Sequence, residues 1–411
     1  MHYYPSDLAY ALRHRWPAAT DAALPAPPAL TQLISVAYQA SLLSEEARPV
    51  VGQLVFAPAA LLEGHAANQA GQHVLLFSPP RPYTEQELRR LTATVQQPGN
   101  LLAVDEDADG HLRIWGLLAT HHAWDQARDA LWTARESPPA VLLLRVVGPG
   151  SLVFYDGPTR VLTLQQGRVD GHGFVQFPVA WGRGRFAEAL DYAHQEVQRA
   201  HPAAGPVPDE LIVQLSQHFQ RRIIARVRAS GHGGLLAFIP ATNVAERVGP
   251  LGVLRPKYGM ASAGAGPRYR QLLLAIVGRL SELGEVNWAH YQQSADATLR
   301  ALEAELGQFA DLLADLMAVD GALLLTKHME VVGFGVEVHA PHIVTNEVYR
   351  AQDLEASAVQ AEAADQGGTR HRAAYRLCLA DPDSLVVVVS QDGGVKFVHQ
   401  HAGKVIFWDQ L

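Results

Sequence analysis

A proline-punctuated stretch near the middle of the chain, Ala200 to Asp209 (AHPAAGPVPD), does most to limit what this sequence can build. Its prolines carry no amide hydrogen and the stretch has no apolar period, so neither a helix nor a paired strand should run through it. A chain of 411 residues also exceeds the roughly 250 residues that one core organises. Together these features predict two domains, residues 1–205 and 206–411. A second break, Ala23 to Ala29 (ALPAPPA), is expected to set an N-terminal helical stretch apart from the first globular unit.

Composition then removes whole classes of function. The chain is 48% hydrophobic and 18% charged, less charged than the ~25% of an average soluble protein, which excludes a disordered polymer. A net charge of −8 repels phosphate backbones and argues against nucleic acid as a partner. The single cysteine, Cys378, cannot close an internal disulfide or supply a zinc site that needs two thiolates, and it fits a reducing compartment. No apolar run reaches the length of a membrane span, and Met1 to Pro5 does not open a signal peptide. The expectation is a soluble cytoplasmic protein with no membrane partner. Basic residues are almost all arginine: only Lys257, Lys327, Lys396 and Lys404 are lysines. The one Gly-Lys pair, Gly403-Lys404, is followed by Val405, which excludes a Walker A loop.

The first half reads as α+β. Short β-rich runs at Val50 to Phe56, Val74 to Phe77, Leu101 to Val104, His111 to Ala119, Ala140 to Val147 and Ser151 to Tyr155 lie beside turn pairs such as Asp109-Gly110 and Asp156-Gly157. Helical patterns interrupt at Thr84 to Gln96, Ala123 to Arg135 and Phe186 to Ala200. The second half reads as α/β. Pro208 and the acids Asp209 and Glu210 open a helix whose stripe is Leu211, Leu215, Phe219, Ile223 and Val227. A glycine-led strand, Gly233 to Ile239, follows. A helix near Tyr269 to Leu283 and a long amphipathic helix through Leu299 and Leu316 come next. That helix runs into Asp320-Gly321-Ala322 and strand Leu323 to Leu325, with a second strand, Val331 to Val338, at hairpin distance. A short helix from Arg370 to Leu379 and strands at Leu385 to Val389, Val395 to His399 and Lys404 to Trp408 close the chain.

Several motif matches fail on chemistry. Asp105 to Gly110 has the opening of a calcium loop, but Gly116 stands where a bidentate glutamate is required, so a solvated hairpin is expected. The 19 histidines form no H-E-x-x-H, and His121-His122 has no acidic partner at ligand spacing. The glycine-rich Gly259 to Gly266 follows no strand in dinucleotide-binding register and is expected to be a loop. No G-x-S-x-G elbow anchors a hydrolase triad.

Three segments survive. In Asp320-Gly321-Ala322 the glycine permits close backbone approach and the carboxylate suits a hard cation. In Gly368-Thr369-Arg370-His371-Arg372-Ala373-Ala374, Thr369 is a natural N-cap, the helix start offers free N–H groups, and two arginines supply bidentate anion donors. The third is the strand Leu385 to Val389, which empties into Ser390-Gln391-Asp392-Gly393-Gly394, placing a hydroxyl and a carboxylate where α/β sheets hold ligands.

Together these segments resemble the diadenylate cyclase domain, also found in the DNA-integrity scanning protein. The hallmarks of that family are an Asp-Gly-Ala motif, an Arg-His-Arg motif in a Gly-Thr-Arg-His-Arg-Ala-Ala context, and a Ser-Glu-Glu segment after a hydrophobic strand. The first two stand intact here, and the third reads Ser390-Gln391-Asp392. Gly233 to Ile239 is similar to the strand that opens the family's nucleotide pocket, which adds Leu235. The resemblance covers about residues 208–411, with an extra alanine-rich segment around Ala340 to Gln366.

The resemblance implies an α/β fold, with a central mixed β-sheet flanked by helices, preceded by a separate α+β domain of the accessory sensor type with an unidentified ligand. It implies condensation of two ATP into cyclic di-AMP with Mn²⁺ or Mg²⁺, across a face-to-face dimer of catalytic domains. Asp320, Gly321, Ala322, Arg370, His371 and Arg372 would be catalytic, with Asp320 and His371 at the metal. Gly368, Thr369, Ser390, Asp392 and Leu235 would bind the nucleotide. The alternative is a nucleotide-binding sensor that keeps the fold without cyclising, a reading that Gln391 supports.

Overall fold

The computed structural model describes residues 3–17, 24–46, 48–67, 72–95, 99–120, 124, 138–165, 167–170, 182, 184–202, 205–260, 268–391 and 394–410. The chain divides into two units, Met1–Phe174 and Val175–Leu411.

In the N-terminal unit two short strands, β1 (Ser44–Glu45) and β2 (Arg48–Pro49), pair with each other. The main sheet contains β3 (Gly52–Phe56), β4 (His73–Pro82), β5 (Asn100–Glu106), β6 (Leu112–Ala119), β7 (Leu142–Gly148), β8 (Ser151–Asp156), β9 (Thr159–Gln165) and β10 (Arg168–Asp170). Their order is β10-β9-β8-β7-β3-β5-β6-β4. β3 and β5 run parallel, while the β3–β7 pair and the hairpins run antiparallel. Side chains alternate between the faces of a strand, and this decides the layers. Leu54, Leu102, Leu144 and Phe154 meet helices α1 (Pro5–Arg15), α2 (Pro27–Ser41) and α4 (Glu85–Val95) on one face. Val55, Ala103, Leu143 and Tyr155 meet α3 (Ala59–Ala67) and Trp124 on the other.

The Ala23 to Ala29 stretch does not set a helix apart. Leu8 and Leu12 of α1 share a core with Leu30 and Leu33 of α2, and Pro27 begins α2, where a missing N–H leaves no bond unmade. Strands β9 and β10 exceed the sequence expectation, because Arg160, Thr163 and Gln165 interrupt their apolar run. The helix expected at Ala123 to Arg135 lies, apart from Trp124, outside the described residues.

The C-terminal unit is built on a mixed sheet. Its strands are β11 (Gly234–Ile239), β12 (Leu254–Gly259), β13 (Ala322–Thr326), β14 (Val331–Val338), β15 (Glu347–Ala351), β16 (Val359–Ala363), β17 (Leu385–Val389), β18 (Val395–His401) and β19 (Lys404–Gln410). The order is β12-β14-β13-β11-β17-β18-β19-β15-β16, with β11–β13 and β15–β19 parallel. β11, β13 and β17 are buried along their whole length, which explains their unbroken apolar sequences.

The helices of this unit are α5 (Ala187–Ala200), α6 (Asp209–Ser230), α7 (Val244–Arg247), α8 (Arg268–Glu282), α9 (Trp288–Gln293), α10 (Ala297–Leu316) and α11 (Thr369–Ala380). One sheet face packs on α11, through Ala374, Tyr375, Leu377 and Cys378. The other meets Phe186, α6 and the end of α10: Phe186, ahead of α5, stands edge-on to Phe238 at 5.6 Å, and Val227 of α6 and Met317 after α10 close on Gly234. The Cys378 thiol is fully buried and its pKa is pushed up by that burial, so it is an inert core group. The Ala340 to Gln366 segment supplies β15 and β16, an edge hairpin. Strand β12 was missed in the sequence because Pro256 and Lys257 break its apolar pattern; as an edge strand it tolerates the proline.

The division at Phe174/Val175 precedes the expected boundary at 205/206. The physical reason is that α5 belongs to the C-terminal unit. Arg270 of α8 pairs with Glu196 of α5 at 3.1 Å, and the His201 ring after α5 bonds the Leu274 carbonyl at 2.9 Å.

His399 on β18 gives the C-terminal unit an acid-sensitive element. Burial lowers its pKa from 6.5 to about 4, against a weaker opposing bond to the Ser384 carbonyl at 3.3 Å. The unfolded chain therefore takes up this proton first as pH falls. The contribution is fully present above pH 6.5 and lost between there and about pH 4. Its ceiling is about 3 kcal/mol, reduced by solvent screening of a ring that is not wholly enclosed. Denaturant unfolding at pH 7 and pH 4.5 should show a smaller stability difference in His399→Gln than in the parent chain. Equal differences would exclude this ring as the source.

Candidate functional site

Sheet register brings the three motif segments to one end of the C-terminal sheet. Parallel pairing sets Leu235 opposite Ala322, and antiparallel pairing sets Gly234 opposite Val389. Gly233, Asp320-Gly321 and Ser390-Gln391 therefore emerge side by side from three adjacent strands, β11, β13 and β17.

Gly233 has φ +66, and a Cβ there would lie 2.6 Å from the Val389 carbonyl oxygen and 3.1 Å from both Arg370 Nη1 and the Gln391 nitrogen. The Arg370 guanidinium, from the first turn of α11, thus lies against this strand end. Gly321 has φ +122, and a Cβ there would stand 2.4 Å from the Gly335 carbonyl carbon. Only glycine permits that approach. It presses the Asp320 main chain onto β14 while the Asp320 carboxylate points wholly into solvent. Lys257 Nζ stands 4.0 Å from Asp320 Oδ2, 3.4 Å from the Asp320 carbonyl oxygen and 3.3 Å from Glu337 Oε1. Sequence reasoning missed both Lys257 and Glu337; neither lies in a motif, and only the β12–β14 pairing brings them to Asp320.

Helix α11 begins one residue earlier than expected. Gly368, not Thr369, is its N-cap, and no side chain caps it. Thr369 is the first helical residue, and its hydroxyl is 3.5 Å from Arg372 Nη2. Arg372 Nη1 donates to the Gly367 carbonyl at 3.0 Å, which folds this guanidinium back over the helix start. His371 crowds Gly367, where a Cβ would meet the His371 Cβ at 2.6 Å, and its ring lies 6.4 Å from Tyr375. A helix start uncapped by any side chain, with two guanidiniums beside it, can hold a polyanion.

The Leu235 side chain is buried on the α11 face, so any part it takes in binding runs through its main chain and its packing. Ala322 is likewise buried and opens β13. The Ser390 N–H donates to the Gly394 carbonyl at 2.8 Å, closing the turn after β17. Asp392 lies outside the described residues.

Among the described residues, one group brings three metal-ligating side chains together, Asp107, Asp109 and His111, with ligand atoms within 4.8 Å of one another. Its carboxylate is already engaged: Asp107 accepts from the Arg113 Nε at 2.8 Å and from the His111 and Asp109 amides at 2.9 and 3.1 Å. These bonds, that to Arg113 first, hold it at about 2. This is the turn of the β5–β6 hairpin, with Gly110 at φ +78. Asp320 and His371 belong to no such group among the described residues. A divalent cation at Asp320 would fit as one that arrives with a nucleotide, completing its shell from phosphate oxygens and water, the usual habit of Mg²⁺.

Comparison with known proteins adds one finding for the N-terminal unit. A family model described as "Probable sensor domain DACNV" matches residues 19–119, the stretch that contains α2 through β6. The match supports a sensor domain at that end of the chain. No curated protein and no solved structure matches the chain. No helix among the described residues is long and apolar enough to cross a membrane.

Proposed function

We propose that the C-terminal unit is a diadenylate cyclase domain that condenses two ATP into cyclic di-AMP and two pyrophosphates, under control of the N-terminal sensor domain. The observation that carries this reading is the convergence of Asp320-Gly321, Gly233 and Ser390 at one sheet end, with the Arg370 guanidinium laid against it. Each turnover forms two bonds from a ribose 3′-oxygen to an α-phosphorus, and each breaks the bond from that phosphorus to pyrophosphate. The chemistry asks the protein chiefly to position its substrate and to stabilise charge.

Arg370 and Arg372 neutralise the triphosphate, and the first-turn amides of α11 receive its oxygens. His371 contacts phosphate or metal from the same turn. Thr369 and Ser390 hydrogen-bond the nucleotide, and the glycine approaches at 233 and 321 let it lie close to the backbone. Asp320 polarises the attacking hydroxyl and binds the cation; bound there, Mn²⁺ or Mg²⁺ would offset charge on the phosphates. One domain holds one ATP, so two domains meet face to face about a two-fold axis.

Gln391 favours a second reading, a domain that binds ATP and does not cyclise it, since an amide stands where the resembled family has a carboxylate. Incubating the purified chain with ATP and either Mn²⁺ or Mg²⁺, with mass spectrometry of the products, separates the two. Cyclic di-AMP and pyrophosphate in a one-to-two ratio are expected. ATP bound but unconverted with both metals would leave the sensor reading.

A further inference from the structure

A cavity of about 510 Å³ opens elsewhere in the C-terminal unit, between α5, α6, α8 and the turn Lys327-His328-Met329 that joins β13 to β14. This turn is at the other end of the sheet from Asp320: the Lys327 amide bonds the carbonyl of Ile239, the last residue of β11, at 2.8 Å. We propose that this cavity is a binding site for a small amphipathic anion, a carboxylate with an apolar body, separate from the nucleotide site.

The body is dictated by the walls. Phe186, Leu190, Ile212, Val213 and Leu273 make them mostly apolar, and a cavity of this size is typical of small-molecule sites. The head is dictated by donors without adequate acceptors on the turn and the helix beside it. His328 stacks flat on Tyr192, with ring centroids 3.9 Å apart, yet its buried Nε2 has no hydrogen-bond partner among the described residues. The Gln220 amide reaches only long contacts, 3.4 Å to Ser216 Oγ and 3.9 Å to Met329 Sδ. Lys327 is partly buried, and burial lowers its pKa. The carboxylates whose fields reach it are Asp383, Glu188 and Asp381, and two of these share Arg247, Asp381 at 3.0 Å and Asp383 at 4.0 Å.

The acids of the cavity wall do not cancel this bias. Glu196 is paired with Arg270 at 3.1 Å, Asp209 with His194 at 2.7 Å, and Glu210 is exposed. Buried donors are normally satisfied in a folded protein. A bound carboxylate would accept from Lys327 and from the Gln220 amide, both of which line the cavity, while its chain fills the apolar space.

The test uses the full-length chain and two probes of one length, octanoate and 1-octanol, titrated by calorimetry. Octanoate is expected to bind saturably below about 1 mM, within reach of a ligand of ten heavy atoms. Octanol should bind at least tenfold more weakly. Lys327→Gln should weaken octanoate about tenfold and leave octanol unchanged, because only the charged contact is lost. Equal affinity for the two probes, no octanoate binding, or octanoate binding indifferent to Lys327→Gln would each overturn the proposal. The comparison of probes on the unaltered chain decides even where the variant fails to fold. Neither probe is a nucleotide, so the outcome is independent of whether the chain cyclises ATP.

Discussion

Gly321→Ala is expected to destabilise the C-terminal unit by several kcal/mol, through two separate effects. At φ +122 an L-residue is held in a region that costs about 1–3 kcal/mol. The new Cβ would also stand 2.4 Å from the Gly335 carbonyl carbon and 2.7 Å from the Val336 nitrogen. Both are main-chain atoms of β14, which cannot rotate aside as a side chain would, and overpacking adds about 1–3 kcal/mol more. Against the 5–15 kcal/mol that holds a typical domain, this is a large share. Gly64→Ala is the control. It lies in α3, where a Cβ would meet nothing within 4 Å, and it should stabilise by about 0.5–1 kcal/mol through helix propensity. Denaturant unfolding followed by circular dichroism reads both. A Gly321→Ala chain as stable as the parent would mean that the close approach of Asp320-Gly321 to β14 does not exist in solution.

That approach also shows where sequence reasoning succeeds. Strands β11, β13 and β17 were legible because a strand buried on both faces needs an unbroken apolar run, as in Leu323-Leu324-Leu325 and Leu385 to Val389. Helix α6 was legible from a stripe that the structure buries at Leu211, Leu215, Phe219, Ile223 and Val227. The edge strand β12 was not. It is half-exposed, broken by Pro256, and held by main-chain pairing to β14 that leaves no periodic mark. The boundary between the units was misplaced for a similar reason. Proline and alanine in Ala200 to Asp209 do break the helix there, but a chain break and a unit boundary differ when both flanking helices, α5 and α6, pack in one unit.

The candidate site divides along the same line. Asp320, Gly321, Arg370 and Ser390 could be grouped from local motifs, and parallel and antiparallel register then brings their strands to one end. Lys257 and Glu337 are contributed by tertiary pairing alone. Thr369 was assigned the N-cap on residue preference, yet Gly368 occupies it; Thr369 instead starts the helix and meets Arg372. The cavity by Lys327 left no motif either, because its polar groups come from four elements far apart in sequence.

Asp320→Asn should abolish product formation, and mixing it with the parent chain should inhibit more than dilution does. The amide keeps the volume of the carboxylate and removes its charge, at a side chain that is fully exposed and 4.0 Å from Lys257, so the fold should be unaffected. Loss of a charged group that acts on the reacting atoms typically lowers turnover at least about a hundredfold. On the cyclase reading each product requires two bonds, one made at each domain of a two-fold pair. A mixed pair carries one defective domain and completes neither cyclic product nor turnover. With equal amounts of the two chains and free exchange, about one quarter of pairs are fully parental. Activity should then fall to about one quarter of that of an all-parental sample at the same total concentration, where dilution alone predicts one half. The measurement is cyclic di-AMP formed per minute across a series of mixing ratios, after incubation long enough for exchange. A curve following the square of the parental fraction supports catalysis across a dimer. A straight line, with exchange demonstrated by differently tagged chains, would show that each domain works alone.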